Sequence, residues 1–499
     1  MLYDVNLHSM LIKEEYSALI KPLREKISML GQMVKNAKIP VIIIFEGWGA
    51  SGKGSFISDI IENLDPRNFK VHSIDAPTDT EKRMPPLWRF WQRIPSDGQI
   101  ALFDRSWYYD VSVGKVETNG DDETTHEYLN NIRLFERQLA DNGYLIIKLF
   151  LHIGKEEQAK RFTKLKKDPA TAWRVTERDI KRHKKYETHF EAFDNMLTRT
   201  DTSYAHWTVV EANDRKFARV KIFNTIISEV EAAIERKKLP LDASEEIPAP
   251  VYSLVHAPKL EEYSLDKSID PDDYKEILKK EQKKLRTLHN IIYQRKIPII
   301  IVYEGWDAAG KGGNIKRITQ ALDPRGFEVV PVAAPNSAEL AHHYMWRFWN
   351  NLPKTGHIQI FDRSWYGRVM VERIEKITPP SLWRIAYNEI CEFEKYLHDW
   401  GAIIVKFWIH IDKEEQLRRF TERQNVPEKN WKITDEDWRN REKWDMYETC
   451  CNDMLKYTST DFAPWTVIES NDKKFARIKA IKTLINAIEN RLDREDNIF

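Results

Sequence analysis

The feature that most restricts what this chain can fold into is a self-match at a constant offset of 258 positions, the distance from Gly47 to Gly305. Glu46-Gly47-Trp48 recurs as Glu304-Gly305-Trp306, and Gly52-Lys53-Gly54 as Gly310-Lys311-Gly312. Leu64-Asp65-Pro66-Arg67 recurs as Leu322-Asp323-Pro324-Arg325, and Trp88-Arg89-Phe90-Trp91 as Trp346-Arg347-Phe348-Trp349. Phe103-Asp104-Arg105-Ser106-Trp107-Tyr108 recurs as Phe361-Asp362-Arg363-Ser364-Trp365-Tyr366, and Asn213-Asp214 as Asn471-Asp472. An offset held over so long a span leaves almost no room for net insertion. The 499 residues therefore read as two copies of one domain of about 230 residues each, not as a short-period solenoid. Register is lost between Leu239 and Ala257, where Pro240, Pro248 and Pro250 flank an acidic pair and neither helical nor strand period is visible. The expected division is a domain over 1–238, an extended linker over 239–257 and a second domain over 258–499.

Within each copy strand-like and helix-like segments alternate. In the second copy the expected strands are Ile299–Tyr303, Phe327–Pro331, Ile358–Phe361, Ile403–Ile411 and Trp465–Glu469. Ser381–Trp400, Lys413–Gln424 and the charged stretch Asp272–Arg295 carry helical periodicity. Near-continuous apolar strands joined by helices predict a five-stranded parallel sheet covered on both faces, a three-layer α/β/α domain. Ligands of such domains sit at the carboxyl ends of the strands, where the polar motifs fall.

Composition removes several classes of function. No apolar run approaches the roughly 18 residues of a membrane span, and Met1–Lys13 lacks a secretory pattern. The three cysteines, Cys391, Cys450 and Cys451, cannot build a disulfide framework or a zinc site. A reducing, cytoplasmic compartment is expected. With 78 basic and 77 acidic residues the net charge is +1, which argues against a nucleic-acid coat but leaves room for a local basic groove.

The chemistry concentrates in the stretch Gly305 to Gly312. Its G-x-x-x-x-G-K frame follows a strand and opens a helix, the context of a P-loop: backbone N–H groups curl around a phosphate, and Lys311 supplies the counter-charge. The same frame at Gly47, Gly52 and Lys53 repeats the signal. A P-loop normally follows its lysine with Ser or Thr, whose hydroxyl holds Mg²⁺. Here that place is Gly312, followed by Gly313. The metal must find other oxygens, and Asp307 and Asp362 are the expected suppliers. Asp362 could alternatively cap a helix, and Asp307 could serve the turn. Arg363 is placed to grip phosphate, with a salt bridge to a neighbouring acid as the alternative.

Taken together, residues 305–313, 346–349, 361–369 and 469–477 resemble polyphosphate kinase family 2. Two fused copies resemble its class II branch, the polyphosphate:AMP phosphotransferases, over essentially the whole chain outside the linker. The resemblance implies a thymidylate-kinase-like P-loop fold and Mg²⁺-dependent transfer of a terminal phosphoryl from inorganic polyphosphate to AMP, giving ADP. Lys311 and the loop amides of Gly305, Gly310, Gly312 and Gly313 would hold phosphates, Asp307 and Asp362 would hold Mg²⁺, and Arg363 and Arg368 would neutralise the migrating group. The segment carrying Arg418, Arg419 and Arg423, followed by Asn430-Trp431-Lys432, is expected to act as a lid over phosphates, with a solvated charged face as the alternative. Arg347 could reach the nucleotide site. Asn471 could contact the base or form an Asx turn. Trp346, Phe348 and Trp349 are expected in the core, and Asp272–Arg295 is expected to pack or to form a homo-oligomer surface.

The copies are unequal. The first keeps Gly47, Gly52, Lys53, Asp104 and Arg105, but it has Gly49 for Asp307, Asp110 for Arg368 and Ser55 for Gly313. The second copy is expected to catalyse and the first to be a degenerate partner. Three alternatives stand beside this reading: an ATP-dependent nucleoside monophosphate kinase, which would keep Ser or Thr after the lysine, a polyphosphate-dependent nucleoside diphosphate kinase, and a non-catalytic binding protein.

Overall fold

The computed structural model describes residues 1–109, 111, 122–239, 246–427 and 433–496. Asp110 and Asn430-Trp431-Lys432 lie outside the described residues. The chain forms two compact units. One comprises Met1–Ala76, Arg89–Pro240 and Ser337–His343, the other Pro77–Trp88, Leu241–Asn336 and Tyr344–Phe499.

In the first unit β1 (Val41–Gly47), β2 (Phe69–Ser73), β3 (Ile100–Asp104), β4 (Leu145–His152) and β5 (Trp207–Glu211) form an all-parallel sheet in the order β2-β3-β1-β4-β5. The second unit repeats it with β6 (Ile299–Gly305), β7 (Phe327–Pro331), β8 (Ile358–Asp362), β9 (Ile403–His410) and β10 (Trp465–Glu469), in the order β7-β8-β6-β9-β10. All five strands expected there are present, and the strands on either side of β6 keep its register through Ile299↔Ile358 and Ile299↔Ile403. Ile300, Ile301, Val302 and Tyr303 have no exposed surface. β-Branched side chains on a strand buried on both faces account for this.

Helices close both faces. Pro271–Arg295 starts with Pro at its first position, and the Asp270 carboxylate accepts the Asp272 N–H at 2.8 Å. It buries Leu285, Leu288 and Ile292 on one stripe. Pro380–Asp399 and Lys413–Asn425 lie where the sequence predicts helices. In the stretch expected to be linker, Leu254 bridges Thr460 and Tyr252 meets Phe462 edge-on. Phe348 and Trp349 are buried as expected, and Trp346 is half-buried. Among the described residues no helix is long and apolar enough to cross a membrane.

Each unit also buries an ion pair that the motif survey leaves without a role. The lysine inside β9, Lys406, donates to Glu394 at 2.7 Å, to the Tyr366 hydroxyl at 2.9 Å and to the Thr458 carbonyl at 2.7 Å. Glu394 in turn accepts from the Trp365 indole at 3.1 Å and the Tyr366 hydroxyl at 2.8 Å. Lys148, Glu136, Tyr108 and Trp107 repeat the network. The Trp-Tyr half of the Asp-Arg-Ser-Trp-Tyr motif thus anchors the core, while its Asp-Arg half faces the site.

Candidate active site

β6 ends in a turn that only glycine fits. Gly305 has φ +146°, and a Cβ there would lie 2.4 Å from the Ile409 carbonyl oxygen. Ala308 at φ +61° and Gly310 at φ +115° complete the curl before the helix Lys311–Thr319 begins. The Lys311 ammonium folds back over the loop, donating to the carbonyls of Gly305 at 2.6 Å and Trp306 at 3.3 Å. It is thereby held across the mouth of the amide nest. At Gly312 an added Cβ would meet nothing within 4 Å, and at Gly313 it would stand 3.4 Å from an Arg477 nitrogen.

Asp307 projects from the loop with both carboxylate oxygens engaged. Arg363 donates to Oδ1 at 3.1 Å, and Asn440, on the helix Asp435–Glu442, donates to Oδ2 at 2.9 Å. Burial opposes its ionisation, but Lys311, Arg363 and the Asn440 amide outweigh that and hold the carboxyl below the usual range. Arg363 sits at φ +66°, a sparsely populated conformation for an arginine, pinned by its N–H to the Tyr303 carbonyl at 2.9 Å. Burial works against its charge, yet Asp307, Glu304 and Asp362 raise its pKa further. Asp362 ends β8 beside it. The structure therefore brings Asp307, Lys311, Asp362 and Arg363 to one end of the sheet, and Arg363 serves as the salt-bridge partner of Asp307.

Glu304, Asp307, Arg363, Glu436, Asn440 and Trp444 are among the residues lining a cavity of about 110 Å³. Glu304 accepts from the Ser364 hydroxyl at 2.7 Å; burial pushes its carboxyl up, against the pull of Ser364, Lys311 and Arg363. Sequence reasoning assigned no role to Glu304, although its recurrence immediately before both loops was a usable signal. Asn440 left none, because the equivalent residue of the first copy is Arg182.

Four expected ligands are committed elsewhere. Arg419 was expected to hold phosphate from a lid. Instead its five N–H donors serve Glu415 at 2.5 Å and four carbonyls: Ala308 and Ala309 of the loop at 3.0 and 2.7 Å, Ser470 and Asn471 at 2.5 and 3.2 Å. A planar fork matches carbonyls that diverge around it, so Arg419 braces the back of the loop. Arg368 donates to Glu372 one turn on, at 2.7 Å, and to Thr378, and lies 4.1 Å over the Tyr344 ring. Arg347 donates to the Ala333 carbonyl at 3.0 Å, tying its helix to the segment after β7. The Asn471 amide donates to Asp412 at 2.6 Å, and Asp412 caps the helix Lys413–Asn425. Arg423 lies half-buried on that helix.

The first unit repeats the loop down to its Arg161 brace and the Lys53 bonds to Gly47 and Trp48 at 3.0 and 3.1 Å. Burial draws the Lys53 pKa down, against the pull of Asp104. Arg105 takes the same strained turn at φ +63°. The cavity, however, shrinks to about 40 Å³. A Cβ at Gly49 would stand 3.1 Å from Asp179 Oδ1, so a carboxylate from another helix fills the place that Asp307 holds in the second unit. Tyr109 lines this cavity, and Gly367 takes that position in the second.

Behind each loop lies an acid-sensitive contact. The Trp306 indole N–H donates to His410 Nδ1 at 3.1 Å, and Trp48 to His152 Nδ1 at 2.9 Å. An indole can only donate, so each imidazole must be neutral at that nitrogen. Burial lowers both pKa values to about 4, against the smaller opposing pull of the Leu260 backbone, Asp412 and Glu469 on His410 and of Glu211 on His152. The unfolded chain binds these protons first, so the folding stability is whole above the ordinary imidazole range and falls as pH drops from about 6.5 to 4. The expected loss is roughly 3 kcal/mol per histidine. Urea unfolding followed by tryptophan fluorescence at pH 7.5 and 5 should show about 2 kcal/mol of that loss per histidine, and His410→Gln should remove the share that the second unit contributes.

The profile of the family described as Polyphosphate kinase 2 (PPK2) matches residues 10–238 and again 268–496. The polyphosphate:AMP phosphotransferase of Pseudomonas aeruginosa is 40% identical over 478 residues, 96% of each chain. That of Acinetobacter johnsonii is 34% identical over 91% of this chain and 92% of its own length. The AMP/ADP-polyphosphate phosphotransferase of Meiothermus ruber is 34% identical over 45% of this chain and 88% of its own. A crystal structure of a polyphosphate kinase 2 from Pseudomonas aeruginosa superposes with a TM-score of 0.86 at 36% identity, covering 99% of this chain and all of the other. With two matched halves, each carrying the same sheet order and the same braced glycine-rich loop, the chain belongs to the polyphosphate kinase 2 family.

Proposed function

We propose that the second unit moves the terminal phosphoryl group of inorganic polyphosphate onto AMP. The bond from the terminal phosphorus to its bridging oxygen breaks, a phosphate oxygen of AMP bonds to that phosphorus, and the products are ADP and a polymer one phosphate shorter. The observation that carries this reading is the meeting of Asp307 with Arg363 and Asn440 at a cavity beside the loop that Lys311 closes, in a chain 40% identical to a polyphosphate:AMP phosphotransferase along 96% of its length.

Phosphoryl transfer asks a protein for position and charge rather than for a covalent nucleophile. The nest and Lys311 hold phosphate oxygens at the helix N-terminus. Arg363, already paired with Asp307, meets the charge on the group in flight. Asp307 and Asp362 offer hard oxygens of the kind Mg²⁺ prefers, and with no hydroxyl at position 312 they are the carboxylates that would hold it, Asp307 exchanging a partner among Arg363 and Asn440 for the ion. The ion, when bound, neutralises phosphate oxygens. The Trp306–Trp444 stack, 3.7 Å apart, and the helix bearing Asn440 wall the cavity and limit water. Three free, buried cysteines suit a reducing cytoplasm.

The test is direct. Pure protein is incubated with Mg²⁺ and AMP, with long-chain polyphosphate in one arm and ATP in the other, and ADP is quantified. ADP in the polyphosphate arm is expected. Its absence there, whatever the ATP arm gives, overturns the reading.

A further inference from the structure

The helical arm of the first unit carries a charge that its counterpart lacks. Residues 155–185 hold twelve Lys or Arg against five Asp or Glu, a net charge of +7, whereas residues 413–443, in register with them, hold nine against eight, a net charge of +1. The difference comes from particular positions. Lys164 stands where the second copy has Glu422, Arg178 where it has Glu436, and Lys184 where it has Glu442. Lys166 and Lys167 replace Gln424 and Asn425.

These cations face outward in rows. Lys160, Lys164 and Lys167 are exposed along one face of the helix Lys155–Lys167, and Arg178, Lys181 and Lys185 along the helix Glu177–Lys184 and its C-cap. The i, i+4 and i, i+3 steps place like charges next to each other, and although the helix dipole favours cations in a last turn, three in one turn, Lys164, Lys166 and Lys167, are more than the second copy carries there. Ion pairing leaves most of the charge of the first row in place. Lys160 approaches Glu157 only at 3.9 Å, and the side chains of Lys164, Lys166 and Lys167 have no ion-pair partner among the described residues. A merely solvated arm would mix signs, as the second copy's does.

We infer that this arm is a docking surface for linear inorganic polyphosphate, an inference that rests on polyphosphate being the donor. A flexible polymer with a negative charge on every phosphate can follow both rows, and its binding is driven by release of counterions. Single-stranded nucleic acid fits less well. It calls for a succession of stacking platforms, whereas the exposed Trp173 has Arg174 over its ring at 5.4 Å and its indole bonded to the Ala170 carbonyl. A polymer held here remains bound to the chain through successive transfers. The first half of the protein then has a use that needs no catalysis.

The experiment is equilibrium binding of fluorescently labelled long-chain polyphosphate to the full-length protein over a range of salt. The variant Lys164→Glu/Lys166→Gln/Lys167→Asn installs residues that the second copy tolerates at the same places. It should bind at least tenfold more weakly at low salt, and its slope of log K against log salt should be shallower by about 2 to 3. Arginine at all three positions should restore both. Lys275→Glu/Lys280→Glu, the same change in net charge on an exposed helix of the second unit, should leave both as they were. An unchanged affinity and slope in the triple variant overturns the inference. So does an equal loss in the Lys275/Lys280 control, or displacement of polyphosphate by single-stranded RNA of matched charge. Binding is read without turnover, so a failed AMP assay and a failed docking surface remain distinguishable.

Discussion

Lys311→Met should lower ADP formation from polyphosphate and AMP by about 10³-fold, whereas Lys53→Met should leave it within about twofold. The two lysines occupy the same place in the same loop and make the same two carbonyl bonds, so the contrast isolates what surrounds them. Near Lys311 stand Asp307 and Arg363, which line a cavity of about 110 Å³. Around Lys53 the loop offers Gly49, and Asp179 and Tyr109 occupy a cavity of about 40 Å³. Restoring the carboxylate by Gly49→Asp should not revive the first unit, because the new Cβ would stand 3.1 Å from Asp179 Oδ1. The measurement is steady-state ADP release by each variant, and equal losses from the two lysine substitutions would refute the division of labour.

Lys406→Met should destabilise the second unit by about 3–5 kcal/mol, among the largest costs available to a single substitution in this chain. Lys406 and Glu394 are both fully buried, and the ammonium satisfies three acceptors at 2.7–2.9 Å. Removing the lysine leaves a carboxylate stranded among apolar strands. The double variant Lys406→Met/Glu394→Leu should recover much of the loss, because replacing both charges also removes their desolvation cost. Urea midpoints from tryptophan fluorescence, with far-ultraviolet circular dichroism as a second probe, would measure it. A double variant no more stable than Lys406→Met would show that the pair is not the unit of stabilisation.

Much of the site was legible before any coordinates. Parallel strands declare themselves as apolar runs because they are covered on both faces, and all five in the second half lie where those runs do. The loop was legible too, since a turn that brings backbone within 2.4 Å of a neighbouring strand admits only glycine. The arginines were not legible. A guanidinium carries the same charge whether it faces a phosphate or a carbonyl. Nothing local separates Arg363, which turns into the cavity on a strained backbone, from Arg419, which spends every donor behind the loop, or from Arg368, which Glu372 captures one helical turn away. Asn440 reaches Asp307 across 133 positions and repeats nowhere, so no periodicity could announce it.

The amino-acid order alone settled the duplication, the strand succession, the glycine-rich turn before Lys311 and the differences between its two copies. Each of these is written in residue type and spacing, which survive without coordinates. Only the tertiary structure decided which cations face the cavity, which carboxylate each one meets, and that Asp179 closes the first site. Those outcomes depend on competition among donors and acceptors that folding alone brings within 3 Å of one another.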